Sequence, residues 1–531
     1  MMLLRLCLVS ILITGPVGGR SALFAQRVVR IITFERSNVF DTSDSTTPAY
    51  LKSIVNAIHV TSRESFLRKE ILFTEHDVLH PSVIAESERK LRRLYFVGDV
   101  NIEEKSDGDS SDVVIRTHDK WSLTTNVSYK HDGGFESYGL ALSESNFLGM
   151  GNGLLASMDY RTDRTKPLGA EFFFIGKHMP FRSWELNVQY KSSEELTIRS
   201  LEVTKPFFSE ESPLSFGFAM DAGTSLRRFF RDGQIIRQEE AVQENQLAWG
   251  VASFGNETKY RFGLSLIRRT TSQIISLPRS DDQLRMAKVS FGVINRSWEE
   301  ATFLNSLTRI EDRPTGYALD IIVGRNFVYR ANDFLPDYYV GRGIVSAAFG
   351  KSTCVSPEII YTRMRLSDAE SEETFQYTFL AHHRIGPNDL VVWRITGTQG
   401  YHWLAGREMV LGSPNGLRGF EQYSLSGNRL LLLNFESRHV FQTPFWIFYV
   451  GTAVFADCGA VWNEDTSVSR QRFHSAVGFG IRIENTKQQG IGVIRIDVPY
   501  SLDQRRITGI TISSTHFLSA FANFDNLPPH F

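Results

Sequence analysis

The residues best placed to do chemistry in this 531-residue chain are charged side chains in the middle of apolar runs. Arg482 and Glu484 stand two apart, as do Arg495 and Asp497. Residues two apart share one face of a strand, so this spacing puts charge on one wall of a sheet. Other candidates for catalysis fall short. Gly350-Lys351-Ser352-Thr353 resembles the end of a phosphate loop, but Val345 stands where its first glycine belongs and no helical pattern follows. His382 and His383 are neighbours in a strand, so their side chains point opposite ways. Neither HExxH nor GxSxG occurs. Cys354 and Cys458 match no metal spacing. A disulfide between them would suit an oxidising compartment; two separate buried thiols is the plainer reading. The expectation is no enzyme, no cofactor and no metal.

The elements that position these charges begin with composition. Lys+Arg is 58 and Asp+Glu is 59, so no net field points to nucleic acid. Phe is 39 and Tyr is 17, which with many glycines and β-branched residues suits strands. Residues 1–25 read as an export signal. Arg5 precedes an apolar core from Leu6 to Ile13, Gly15 and Pro16 break it, and cleavage is expected after Ala25. Cys7 lies too early to serve as a lipoprotein cysteine. Beyond the leader no apolar run approaches the roughly 20 residues of a membrane helix. An exported chain of this kind is a soluble protein or a barrel.

Residues 27–118 read as a small α+β domain. Val28–Phe34 is β-rich. Thr61-Ser62-Arg63-Glu64 forms a capping box opening a helix through Phe66, Leu67, Ile71 and Leu72. Pro81 begins a second helix. That helix carries Ile84, Leu91 and Leu94 on one stripe, with Glu86, Glu88, Arg89, Arg92 and Arg93 mostly around it. Strands at Phe96–Ile102 and Val113–Thr117 flank an acidic turn, Glu103–Asp112. The order is β-α-α-β-β.

From residue 121 to 531 helical periodicity gives way to 10–15-residue segments of period two. Val477, Phe479 and Ile481 oppose Gly478, Gly480 and Arg482. Ile494, Ile496 and Val498 oppose Arg495 and Asp497. Leu431, Leu433 and Phe435 oppose Asn434, Glu436 and Arg438. A soluble sandwich also alternates, but its strands typically have five or six residues. Here they are ten or longer and continue for some 400 residues. Mid-strand charges fit a polar lumen within a lipid-facing wall. Backbone in lipid must be fully paired, so such a sheet closes. The fold class is therefore mainly β, a transmembrane antiparallel β-barrel behind one α+β domain. About twenty segments can be marked. Some, such as Gln234–Gln243, are also readable as loop.

Three pieces together resemble a known family. They are Gly416-Leu417-Arg418-Gly419-Phe420 in a long loop, Phe455-Ala456-Asp457-Cys458-Gly459-Ala460-Val461-Trp462 at a strand end, and the β-α-α-β-β domain with Ser87–Arg92 leading into Tyr95–Val100. The chain resembles the BamA/TamA surface-antigen family, whose barrels follow periplasmic POTRA domains. The resemblance implies sixteen strands and a loop folded into the lumen, where Arg418 meets Asp457. Alternation along residues 448–457 independently turns Asp457 inward, and Glu436 on the preceding strand faces the lumen too. Gly416 and Gly419 would permit a tight loop tip. Glu144–Gly151 resembles an early hairpin of the family. Ile507–Phe517 reads as the last strand.

The resemblance implies a Gram-negative outer-membrane location, with the POTRA domain in the periplasm. It implies outer-membrane lipid, extended or unfolded client polypeptides and periplasmic accessory proteins as partners. The implied activity is insertion or secretion of clients by strand capture and a lateral seam. The alternative is a passive channel or surface structure that keeps the fold.

Overall fold

The computed structural model describes residues 27–40, 49–107, 110–132, 135–231, 234–273, 281–302, 304–327, 337–350, 352–365, 371–403, 408–421, 424–487 and 493–513. The expected leader lies outside the described residues.

The first unit is built on β1 (Val28–Ser37), helices α1 (Ala49–Ile58), α2 (Glu64–Glu70) and α3 (Pro81–Arg92), then β2 (Val97–Asp107) and β3 (Ser110–Asp119). Its sheet has the order β1-β3-β2, with β1 parallel and β2 antiparallel to β3. Val29, Ile32, Leu67, Ile71, Leu91 and Ile115 form its dry centre. Three details differ from the sequence reading. A third helix, α1, precedes the two expected. The acidic turn shrinks, because β2 and β3 extend through most of it to Asp107 and Ser110. The capping box does not form. Arg63 is the N-cap of α2 and makes no side-chain cap bond, because the helix starts two residues later than the box requires, with Glu64 at its first position instead of its third.

The wall begins with β4 (Leu123–Asp132), β5 (Phe135–Phe147), β6 (Asn152–Arg161), β7 (Leu168–Lys177), β8 (Glu185–Ser192) and β9 (Leu196–Lys205). Longer strands follow: β10 (Leu214–Arg231), β11 (Gln234–Phe254), β12 (Thr258–Gln273), β13 (Asp281–Thr302) and β14 (Ile310–Asn326). Then come β15 (Tyr338–Phe349), β16 (Thr353–Arg365), β17 (Ser371–Arg384) and β18 (Asp389–Tyr401). The loop after β18 carries a short hairpin, β19 (Met409–Leu411) and β20 (Leu425–Gly427). The wall resumes with β21 (Arg429–Val440), β22 (Phe448–Trp462), β23 (His474–Asn485) and β24 (Val493–Ser501). It ends in a strand broken into β25 (Arg506–Ile507) and β26 (Ile510–Ser513).

Each wall strand pairs with the next, and β26 pairs antiparallel with β4, which closes the barrel. Counting β25 and β26 as one strand, β4–β18, β21–β24 and this last strand make twenty. The sixteen implied by the family resemblance are exceeded, and the segments counted from alternation are strands. Gln234–Gln243 is the first half of β11, not loop. Phe517, expected in the last strand, lies outside the described residues. Barrel diameter grows with strand number, so twenty strands leave room inside for folded loops.

Alternation decides which side chains meet lipid. Val477, Phe479 and Ile481 are exposed on the outside of β23, while Gly480, Arg482 and Glu484 are buried on the inside. No helix of the described residues is long and apolar enough to cross a membrane.

Candidate functional site

The inward charges converge on one guanidinium. Arg418 sits at the tip of the β18–β21 loop, 4% exposed. Its Nε donates to Asp457 Oδ2 at 2.7 Å and its Nη2 to Asp457 Oδ1 at 3.0 Å. Its Nη1 donates to Glu436 Oε2 at 3.1 Å and Asp497 Oδ2 at 3.3 Å. These carboxylates come from β22, β21 and β24, so one loop residue ties three wall strands. Arg482 from β23 closes the set, with Nη1 on Asp497 at 2.7 Å and Nη2 on Glu436 at 3.2 Å. Asn434 donates its amide to Asp457 Oδ1 at 2.7 Å and to the Gly416 carbonyl at 2.9 Å. A two-pronged guanidinium–carboxylate bond fixes angle as well as distance.

Phe455 forms the floor under this pair, with its ring centroid 3.5 Å from Arg418 Cζ. A cation over an aromatic face gains from the ring quadrupole. The floor fits because Gly478 lies beside it on β23, where a Cβ would stand 2.1 Å from Phe455 Cζ. Gly416 and Gly419 have φ of +121° and +84°, which side-chain-bearing residues rarely adopt. A Cβ on Gly419 would lie 2.9 Å from Thr508 Oγ1, so the loop tip rests against the broken last strand. Leu417 and Phe420 anchor the tip in an apolar cluster with Leu411, Leu432 and Ala476. Gly459, named for the wall motif, makes close room for Leu411 and Leu432.

A second inward element was not foreseen. The tip of the β13–β14 hairpin, residues 304–309, folds into the opposite mouth of the barrel. Leu304 and Leu307 pack with Leu380, Leu390, Val392, Val440 and Val493. Backbone N–H groups of Leu304, Asn305 and Ser306 all donate to Glu311 Oε2. Leu307 N donates to Glu484 Oε2 at 2.8 Å, on β23. Arg438, whose Nε holds Glu436 at 2.8 Å, donates Nη1 to the Leu304 carbonyl at 2.9 Å. The tip therefore acts as a strap reaching from β14 past β15–β18 to the wall at β21–β24. Pairs of leucines in a loop give no periodic signal, which is why the sequence hides it.

The first unit is docked at this same mouth. Arg89 and Arg93 of α3 and Arg296 of β13 surround the Trp298 ring, at 5.0, 4.3 and 4.7 Å from its centroid. Lys90 Nζ lies 3.3 Å above the Phe208 ring, and Arg92 donates to Asp312 at 2.9 Å. The basic residues of α3, expected around its apolar stripe, thus meet the barrel rim. The Glu144–Gly151 hairpin also serves docking. A Cβ on Gly151 would fall 2.1 Å from Phe66 Cζ, and Arg63 N donates to the Gly149 carbonyl. Glu70 meets His178 Nε2 at 3.2 Å. Its burial works against ionisation, but the His178 bond and the nearby Lys177 and Lys90 charges hold its pKa near 2.

At the junction Asp119 is fully buried and accepts Ser62 N at 2.6 Å and the Ser62 hydroxyl. Asn146 on the barrel donates to the same Ser62 oxygen at 3.1 Å. Burial pushes the Asp119 carboxyl up to about 6, against the opposing pull of Ser62 and of Arg36.

The remaining candidates separate. Gly350 occupies the turn between β15 and β16 with φ +65°, and Thr353 begins a strand, so no phosphate loop exists there. His382 is buried beside Arg313 and His383 is exposed beside Thr353. Cys354 and Cys458 are free thiols.

The fold and the lumenal site together define a closed membrane β-barrel with an inward-folded, arginine-latched loop. No protein-family model matches the chain. A stretch of 100 residues is 31% identical to the outer membrane protein assembly factor BamA of Neorickettsia risticii, covering 18% of this chain and 13% of that relative. The chain thus spans far less than two thirds of that relative's length in the match. Among solved structures, BamA of Haemophilus ducreyi lacking POTRA domains 1–3 is similar over 92% of this chain and 84% of that one, at 15% identity and TM-score 0.40. CdiB of Escherichia coli is similar over 92% and 76%, at 12% identity and TM-score 0.49. The chain is similar to BamA by a partial sequence match.

Proposed function

We propose that this protein is an outer-membrane assembly or secretion barrel that passes client polypeptides, and is not an enzyme. One observation carries the reading. Arg418 braces β21, β22 and β24, while the strand beyond β24 closes the barrel against β4. The strands leading to the seam are held together, so the seam itself is the joint free to part.

The first unit is read as a single POTRA-like domain in the periplasm. Strand β2 has a partner only in β3 among the described residues, which leaves an edge for an extended client to join by strand addition. Periplasmic accessory proteins would dock on the same unit.

The test is a reversible lock. Tyr129 and Ile512 are directly opposite across the seam, within reach of a disulfide when both are cysteine. A strain relying on Tyr129→Cys/Ile512→Cys is expected to lose client assembly or secretion in oxidant and regain it with reductant. Normal client levels with the lock fully formed would overturn the reading and favour a passive channel.

A further inference from the structure

The lipid-facing wall is not uniform around its far end, opposite the docked first unit. On β5, β6 and β8 the outward apolar run finishes in tyrosine: Tyr138, Tyr160 and Tyr190, all exposed. Aromatic girdles of this kind sit at the headgroup level of membrane barrels. Over β12–β16 the pattern changes. Phe262, Leu264 and Leu266 on β12 are followed outward by Arg268. Phe291 and Val289 on β13 lead through Ala287 to Arg285. Leu319, Ile321 and Val323 on β14 lead to Arg325, and Ile359 and Tyr361 on β16 to Arg363. Aromatics remain beside this row: Tyr339 on β15, Tyr361 before Arg363, and the exposed Phe327 beyond Arg325.

The register makes these arginines one patch. Arg268 is directly opposite Arg285. Arg325 is opposite Ala287, two residues along β13 from Arg285. Tyr339 is opposite both Val323 and Arg363, which joins the patch to β16. Arg268, Arg285 and Arg363 are exposed and Arg325 is half-buried. Two acids border the row on the outer face: Glu373, 3.7 Å from Arg363, and the exposed Glu244 of β11, opposite Thr270 and diagonal to Arg268. Elsewhere on the outer face Arg199 of β9 stands apart, its guanidinium 5.9 Å from the Tyr190 ring.

We infer that the Arg268–Arg285–Arg325–Arg363 sector is a binding surface for the phosphate-bearing headgroups of lipids in the far leaflet. Long cationic side chains at the edge of an apolar band lie along it and lift their heads to the interface. Guanidinium forks match phosphate oxygens in pairs, and an ammonium does not. Three of them lie on the neighbouring strands β12–β14, about 5 Å apart across the sheet, and Arg363 stands one strand further on, beyond Tyr339; together they span one or two lipid headgroups. A tyrosine girdle sets only depth. An arginine sector also selects the lipid charge against one side of the barrel, β12–β16, away from the seam.

The experiment uses the full mature chain in phosphatidylcholine vesicles with spin-labelled phosphatidic acid or spin-labelled phosphatidylcholine as the probe. The protein is expected to prefer phosphatidic acid by about fivefold or more. The quadruple variant Arg268→Gln/Arg285→Gln/Arg325→Gln/Arg363→Gln is expected to lose most of that preference. Arg199→Gln is expected to keep it. Unchanged heat-resistant gel mobility of each variant verifies the fold, and the corresponding four Arg→Lys changes give a second reading if glutamine disrupts it. Inorganic phosphate at matched charge is expected to compete weakly, since the acyl chains bring the headgroup to the wall. A wild-type protein with no lipid preference, a quadruple variant that keeps it, or an Arg199→Gln loss of equal size would each overturn the inference.

Discussion

Arg418 and Asp457, 39 positions apart, meet edge-on through two parallel hydrogen bonds of 2.7 and 3.0 Å. Both are almost fully buried. Removing the arginine leaves Asp457 in place and takes one partner from Glu436 and Asp497. Breaking a buried pair in this way costs about 3–5 kcal/mol. Arg418→Ala is therefore expected to lower the temperature at which the barrel loses its compact gel mobility. Asp457→Asn should cost less, since Asn434 and Arg418 still have an oxygen to meet.

Phe455 under Arg418 makes a steric prediction. Gly478→Ala places a methyl 2.1 Å from Phe455 Cζ, so the ring must move and the guanidinium with it. Overpacking of this kind costs about 1–3 kcal/mol. The companion change Phe455→Leu in the Gly478→Ala background is expected to restore part of the thermal stability. Equal stability of Gly478→Ala and the parent would show that the ring has free space.

Docking of the first unit rests on Trp298 and its three arginines. Trp298→Ala removes the shared ring and is expected to weaken docking by about 1–3 kcal/mol. The readout is protease cleavage between residues 119 and 123, which should quicken severalfold while the barrel core stays resistant. Raised salt should speed it further, because Arg92–Asp312 and Arg89–Glu210 are ionic.

Asp119 predicts a pH dependence at the same junction. Its carboxyl holds its proton up to about pH 6 in the folded protein, against an ordinary 3.8. The folded state is favoured while the group is protonated, so junction stability falls as pH rises from about 4 to about 6 and levels off above. Asp119→Asn removes this group, and the difference between parent and variant should carry that slope. Trp121, two residues on, supplies the fluorescence signal.

The strap makes the last prediction. Replacing residues 304–308 by a short glycine-rich turn removes Leu304 and Leu307 from the lumen and the bonds to Glu484 and Arg438. Single-channel conductance in planar bilayers is expected to rise well above that of the parent. Unchanged conductance would mean that the loop carrying Arg418 seals the lumen alone.

Strand alternation made the wall legible, because one face of each strand meets lipid and the other meets charge; Val477–Ile481 against Gly480–Glu484 is readable from residues alone. Inward placement of Glu436 and Asp457 followed from the same parity. The sixteen strands did not, since that number came from resemblance and nothing in closure demands it. The capping box failed because the helix begins at Glu64 behind Arg63, while the neighbouring Ser62 is held by Asp119, distant in sequence and adjacent in space. The sequence places Arg89 and Arg93 around an apolar stripe and no more, because a single helix cannot reveal that Trp298, some two hundred residues on, packs against them. The strap was invisible for the same reason: its partners lie on strands far along the chain.

Arg438 touches both closures. Its Nε meets Glu436, which Arg418 also holds, and its Nη1 meets the strap at Leu304. The outer loop and the inner strap are thus wired in series through one carboxylate. Each closure also has an anchor of its own, Asp457 for the loop and Glu484 for the strap, so two plugs stand one behind the other like the doors of an airlock. Under the proposed function, a barrel whose side opens for a polypeptide would in this way stay tight to ions and small solutes along its axis.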